Sequence, residues 1–298
     1  MTNSAPKVWR DLDQTALDNA YDQPVNALNF YQVAERMTSQ SQSMRSRRGE
    51  PIALSYGPLE IQQVHYYPAS EPNHPVMLHV RGGAWRWRSA QDVAFPAEQF
   101  NAAGIGFAVF DFSGVEHTHG DLTPLLQQVT QALTWLPRHV RALGGDPARL
   151  YASGFSSGAH LLAVALTSDW NSLGFKGCPY RAAALVSGMY ELAPVRLSKR
   201  SDYVNFTDDI EHRMSAQRHL ERLDLPLLLA CGACESPEFL RQTTEFFHAL
   251  EAAGKPAELL VEQGFNHLEM LEALGNPYSG LGRAVLAMIN PARSNAPR

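Results

Sequence analysis

A glycine-flanked serine, Gly154-Phe155-Ser156-Ser157-Gly158, stands where the apolar run Arg149 to Phe155 gives way to a helical pattern starting at Ser157. A serine at such a strand-to-helix turn is held above a sheet, and flanking glycines admit the strained backbone and the tight crossing of helix and strand. Ser156 is therefore the candidate nucleophile. A hydroxyl is a poor nucleophile near neutral pH, so it needs a base within hydrogen-bond reach and an acid that orients the base. On a strand-turn-helix scaffold of this kind both follow the serine, the acid after a late strand and the histidine after the last one. Leu225 to Cys231 leads into Gly232-Ala233-Cys234-Glu235, and Ala257 to Val261 leads into Gly264-Phe265-Asn266-His267, so Glu235 and His267 fill the two positions. Glu238 competes for the acid's place but falls at a helix start, where a carboxylate simply favours the dipole.

Acyl chemistry also needs donors for a developing oxyanion. Arg81-Gly82-Gly83-Ala84-Trp85 follows the strand candidate Val76 to Val80. The backbone N–H groups of Gly82 and Gly83, with that of Ser157 at its helix N-terminus, are the expected oxyanion hole. Trp85, Trp87, Tyr190 and Phe265 adjoin these loops and are expected to line an apolar substrate pocket, core packing being the alternative.

The elements needed to position these groups are legible as alternating strands and helices, which imply an α/β fold with a mainly parallel sheet covered on both faces. Strands are expected at Gln62 to Tyr67, Val76 to Val80, Gly104 to Phe112, Arg149 to Phe155, Ala182 to Val186, Leu225 to Cys231 and Ala257 to Val261. Helices are expected from about Thr123, with Pro137 ending or kinking it, from Ser157 to about Trp170, and from Pro237 to Ala253. Residues 1–50 read as a helical N-terminal arm or cap, residues 51–298 as the catalytic domain, and 190–223 as a lid within it.

Composition narrows the function. The 298 residues are 45% hydrophobic and 18% charged, with a formal charge of −5, which excludes a disordered chain and gives nucleic-acid binding no electrostatic support. No run approaches the roughly 20 apolar residues of a membrane span. Three cysteines, Cys178, Cys231 and Cys234, form no disulfide framework, and the expectation is a cytoplasmic protein without a membrane partner, with a homodimer as the assembly considered. Cys231-Gly232-Ala233-Cys234 has redox-motif spacing without a redox-motif context. Glu116, His117, His119 and Asp121 fall short of a ligand set, so no metal and no cofactor is expected.

The chain resembles an α/β-hydrolase of the hormone-sensitive-lipase and kynurenine-formamidase type. The resemblance rests on Gly82-Gly83-Ala84-Trp85, Gly145-Asp146-Pro147, Gly154 to Leu161, Ser187-Gly188-Met189-Tyr190-Glu191-Leu192, Ser236-Pro237-Glu238-Phe239-Leu240-Arg241-Gln242 and Asn266-His267-Leu268-Glu269, with Leu17 to Asp22 matching a leading arm. It implies an α/β-hydrolase fold and a cofactor-free serine hydrolase that cleaves a small amide, formamide or ester. Acyl transfer or cyclisation, and a non-catalytic ligand-binding protein on the same fold, are the alternatives. Three positions depart from the pattern: Arg81 replaces the usual histidine, Glu235 the usual aspartate, and Phe112-Ser113-Gly114 a Tyr-Arg pair. Arg81 either supports its loop or binds a substrate carboxylate through its fork of donors.

Overall fold

The computed structural model describes residues 5–86 and 88–290. A two-stranded hairpin, β1 (Lys7–Trp9) and β2 (Leu12–Asp13), precedes an eight-stranded sheet. The sheet's strands are β3 (Ile52–Ser55), β4 (Gln63–Tyr67), β5 (His74–Val80), β6 (Gly106–Phe110), β7 (Gly145–Phe155), β8 (Ala183–Val186), β9 (Leu227–Gly232) and β10 (Ala257–Glu262), in the order β10-β9-β8-β7-β5-β6-β4-β3. β5 through β10 run parallel, whereas β3 and β4 are antiparallel.

Strands buried on both faces read as nearly continuous apolar runs, and alternate side chains divide between two cores. Val76, Leu78 and Val80 of β5 face one core with the helices Thr123–His139, Ser157–Leu166 and Pro237–Ala252. Met77, with Phe107 and Val109 of β6, faces the other with the helices Phe30–Arg48 and Gly280–Ile289.

From β5 the chain moves outward to β6, then returns to place β7 on β5's other side. Such a reversal opens a crevice at the carboxyl ends of the strands. The Arg81–Trp85 loop leaves β5 and Ser156 leaves β7 at that crevice.

Several boundaries differ from the sequence expectation. The first 50 residues contain the β1–β2 hairpin as well as the helices Gln14–Ala20, Gln23–Asn26 and Phe30–Arg48. The helix after Ser156 ends at Leu166 rather than near Trp170. There the Asp169 carboxylate takes the N–H groups of Asn171 and Ser172, a local turn that competes with the helix. Conversely, Pro137 does not end its helix, which continues to His139. Pro137 lacks the N–H that would bond Leu133, and the Tyr180 hydroxyl donates to the Leu133 carbonyl at 2.9 Å instead. Residues 190–223 form short helical turns, among them Ala193–Leu197, Lys199–Asp202 and Asp208–Arg213.

Candidate active site

Ser156 occupies the turn between β7 and the helix Ser157–Leu166, with φ 55° and ψ −124°. This backbone region is costly for a residue with a side chain, by about 1–3 kcal/mol, and the neighbours hold it there. The Ser156 N–H donates to the Val186 carbonyl at 2.8 Å. A Cβ on Gly158 would lie 2.2 Å from the Val80 carbonyl oxygen, and one on Gly154 would lie 2.8 Å from Ala159 Cα. Glycine at both positions is a steric requirement of the turn.

Ser156 Oγ lies 2.8 Å from His267 Nε2, and His267 Nδ1 lies 2.6 Å from Glu235 Oε2. All three residues are buried. Because the carboxylate only accepts, Nδ1 carries the ring proton and Nε2 offers its lone pair to the serine hydroxyl. The other carboxylate oxygen, Glu235 Oε1, accepts from the Gly232 N–H at 2.8 Å and from the Ser187 hydroxyl at 2.6 Å. Phe155 and Phe239 flank the imidazole with ring centroids at 5.1 and 4.5 Å. The chain of three is thus fixed at the acid end by two donors and at the imidazole by two aromatic rings. Ser187 was not anticipated as part of the site. It reaches Glu235 from the end of the neighbouring strand β8, a contact that no local spacing announces.

Gly83, Ala84 and Trp85 take φ values of 117°, 56° and 64° in succession, so the loop after β5 presents its backbone in a left-handed run. Trp85 pins it twice. Its N–H donates to Ser157 Oγ at 3.1 Å, and its indole N–H donates to His160 Nδ1 at 3.1 Å. Indole is only a donor, so His160 accepts at Nδ1 and donates from Nε2 to the Met214 carbonyl at 2.9 Å. Burial pushes His160 down to about 4, keeping it neutral. Gly82 packs against the turn itself, since a Cβ there would lie 3.2 Å from Ser156 Cβ. Gly82, Gly83 and Ala84 line one cavity with Ser156 and His267. Ser157 therefore sits at a helix N-terminus with a hydroxyl that also anchors the glycine loop.

Four residues expected at the substrate pocket lie elsewhere. Arg81 is 3% exposed; its Nε donates to Asp111 at 3.2 Å, its Nη2 to the Phe112 carbonyl at 2.7 Å, and its guanidinium covers the Phe112 ring. It supports the loop and does not line the cavity. Trp85 is packed beneath the loop, as described. Tyr190 is fully buried and stacks on Phe246 at 4.3 Å. Phe265 borders a separate surface groove with Phe95 and Glu272. Trp87 lies outside the described residues. The competing acid, Glu238, is bonded to Arg241 and to the Tyr21 hydroxyl. Cys231 and Cys234 are free thiols, one buried and one exposed, and burial raises Cys231 to about 12. Among the described residues no group of three or more His, Cys, Asp or Glu is placed to hold a metal ion.

The cavity above Ser156 has a volume of about 400 Å³, and its apolar wall comes from Tyr21, Phe30, Met37, Val93, Phe155 and Leu271. Much of that wall belongs to the N-terminal segment, and Lys199, Arg200 and Tyr203 add a polar side.

The parallel sheet, the strained serine turn and the crevice at the strand switch are those of an α/β-hydrolase. A solved structure from Silicibacter sp. TM1040 superimposes with a TM-score of 0.78 at 19% identity, covering 92% of this chain and 98% of that one. A BD-FAE family model matches residues 63–182. Kynurenine formamidase of Danio rerio is 26% identical over 260 residues, 85% of this chain and 86% of that protein. Isoprenylcysteine alpha-carbonyl methylesterase of Arabidopsis thaliana is 24% identical over 243 residues, 72% of this chain and 55% of that protein. The fold is that of an α/β-hydrolase, and the chain is similar to proteins of the hormone-sensitive-lipase and arylformamidase-like type, which supports a hydrolase. No described helix is long and apolar enough to cross a membrane.

Proposed function

We propose that the protein is a serine hydrolase that cleaves a small amide, formamide or ester through an acyl-enzyme on Ser156. The observation that carries this reading is the continuous buried chain Ser156–His267–Glu235, with contacts of 2.8 and 2.6 Å, opening onto the cavity. Ser156 Oγ attacks the substrate carbonyl while His267 Nε2 takes its proton. The imidazolium so formed lies against the Glu235 carboxylate, and the carbonyl oxygen, now an oxyanion, is received by the backbone N–H groups of Gly82, Gly83 and Ser157. His267 returns the proton to the departing amine or alcohol as the carbon–heteroatom bond breaks. Water, deprotonated by His267, then releases the acyl or formyl group. The likeness to a kynurenine formamidase and to a methylesterase supports both amide and ester substrates, and the cavity volume suits a compact one. In this reading residues 14–48 and the turns within 190–223 together cap the site, and the three free thiols fit a reducing, cytoplasmic setting.

The test is intact mass after treatment with a fluorophosphonate. One stoichiometric adduct is expected on the wild type, none on Ser156→Ala, and slow labelling on His267→Ala. A folded wild-type protein that stays unlabelled would overturn the reading and favour a ligand-binding protein on a hydrolase scaffold.

A further inference from the structure

Four cations, Arg86, Arg88, Lys199 and Arg200, and one carboxylate, Asp22, line the cavity beside the candidate serine. The field at that wall is therefore positive. Two of the cations are compensated: Lys199 pairs with Asp22, and Arg86 pairs with Glu116. Arg200 is different. It is 4% exposed, on the turn Lys199–Asp202, and among the described residues no carboxylate lies within ion-pair distance of it.

Its partners are all neutral. Nη1 donates to the Tyr203 hydroxyl at 2.7 Å and Nη2 to the Tyr21 carbonyl at 3.0 Å, while the guanidinium carbon lies 5.5 Å from the centre of the Trp85 ring. Nε is buried with no hydrogen-bond partner. Arginine carries five donors and cannot shed its proton. A guanidinium withdrawn from water without a counter-ion costs several kcal/mol, of which two neutral hydrogen bonds and an aromatic face return only part. Elsewhere the fold supplies buried and half-buried arginines with carboxylates, as Asp111 serves Arg81 and Glu238 serves Arg241. Arg200 lines the cavity with no such carboxylate among the described residues.

We propose that Arg200 is a specificity-determining residue whose missing counter-ion is a carboxylate carried by the substrate. This rests on the proposed hydrolase reading, because it places the substrate's scissile carbonyl at Ser156. Gly82, Gly83 and Ser156 line the same cavity as Tyr21, Arg200 and Tyr203. The planar fork matches a carboxylate, and the tyrosines and Phe30 provide apolar surface for the body of the molecule between.

The experiment is ligand-observed NMR titration of the Ser156→Ala protein, chosen so that amide probes are not consumed and no turnover is needed. The probes are benzoate against benzamide, and 3-phenylpropionate against 3-phenylpropionamide. At least one acid is expected to bind tenfold or more tightly than its amide, and this ratio should fall at least fivefold when Arg200→Gln is added. Arg200→Lys, which keeps the charge and most of the volume without the fork, should retain part of the ratio and serves in place of Gln if the latter lowers the melting temperature too far for titration. Equal binding of acid and amide, or a ratio indifferent to both Arg200 variants, would overturn the proposal. Fluorophosphonate labelling reports on Ser156 separately, so failure of the hydrolase reading and failure of the Arg200 assignment give different results.

Discussion

The floor and the roof of the cavity are built on opposite principles. The floor stands on the ends of β5, β7, β8, β9 and β10, and its polar atoms are buried and mutually bonded: Glu235 takes three donors, and His160 and His267 each engage both ring nitrogens. The roof is made from Gln14 to Tyr31 and from Leu197 to Tyr203. Most of the polar contacts between the two segments are partly exposed, namely the Lys199–Asp22 pair, the Lys199 N–H to Asp18 at 2.6 Å, and Gln14 to the Leu197 carbonyl at 2.8 Å, while Arg200 Nη2 to the Tyr21 carbonyl at 3.0 Å is buried. Leu28, at 97% exposure, has no packing to hold it. Buried networks are costly to disturb, whereas exposed ion pairs contribute about 0–1 kcal/mol each. Under the proposed function, the contrast fits chemistry on the floor, where atoms must be held to fractions of an ångström, and admission and selection at the roof.

The largest effect should follow from breaking the floor's acid. Glu235→Gln keeps the shape but offers His267 an amide that can present a donor to Nδ1, favouring the wrong tautomer. A loss in kcat of about 10³–10⁴ is expected on 4-nitrophenyl acetate. Ser187→Ala removes only one of three donors to the same carboxylate, so a loss of about tenfold is expected, at the lower end of the about 1.5–3 kcal/mol for a hydrogen bond to a charged group. If Glu235→Gln costs less than tenfold, the floor is not organised around that carboxylate.

A smaller effect, on stability rather than rate, comes from two buried neutral histidines, His160 of the floor and His79 within β5, whose Nδ1 lies 2.9 Å from Ser153 Oγ. Burial holds His160 at about 4 and His79 at about 3, both below the unfolded value of about 6.5. As pH falls the unfolded chain therefore takes up protons first. Their contribution to stability is whole above about pH 6.5 and is lost as pH falls toward 4, by up to about 1.4 kcal/mol per pH unit for each histidine. Urea unfolding at about pH 7.5, 6 and 5 should show that decline. A free energy that stays flat down to pH 5 would mean the two rings accept protons while folded.

The same division explains which features the sequence made legible. Ser156, Glu235 and His267 each follow a strand within a few residues, so the strand pattern and local glycines locate them before any contact is known. Two of the oxyanion candidates, Gly82 and Gly83, are legible for the same reason, and the third, Ser157, begins the following helix. The pocket wall is not. Trp85 and Tyr190 are aromatic and adjacent to the right loops, yet their rings turn into the cores, while Tyr21 and Phe30 arrive from a segment whose helices give no sign of where they dock. Side-chain direction at a loop depends on a positive φ, as at Ala84 and Trp85, or on a distant partner, as with Arg81 and Asp111. Neither is written in local spacing. The edge strand β3 escaped for a related reason: it is largely exposed, without the apolar run that marks its buried neighbours.

The smallest expected effect belongs to the roof and is the one that sharpens the comparison most. Asp22→Asn removes the carboxylate that pairs with Lys199, whose side chains are 25% and 44% exposed. Exposure of that degree limits the loss in global stability to about 1 kcal/mol or less, below what most melting curves resolve. The local consequence is larger, because the pair is one of few ties between the two halves of the roof. KM should rise about two- to fivefold, with any change in kcat smaller than that, since the contact precedes the chemistry and is the same in the ground and transition states. High salt should produce the same direction of change in the wild type and much less in the variant, as screening weakens an exposed pair that the variant already lacks. A fall in kcat greater than tenfold would place the roof within the chemistry itself. In that case the two halves of the cavity would have to be treated as one machine, with Asp22 holding Lys199 and Arg200 in register with Ser156.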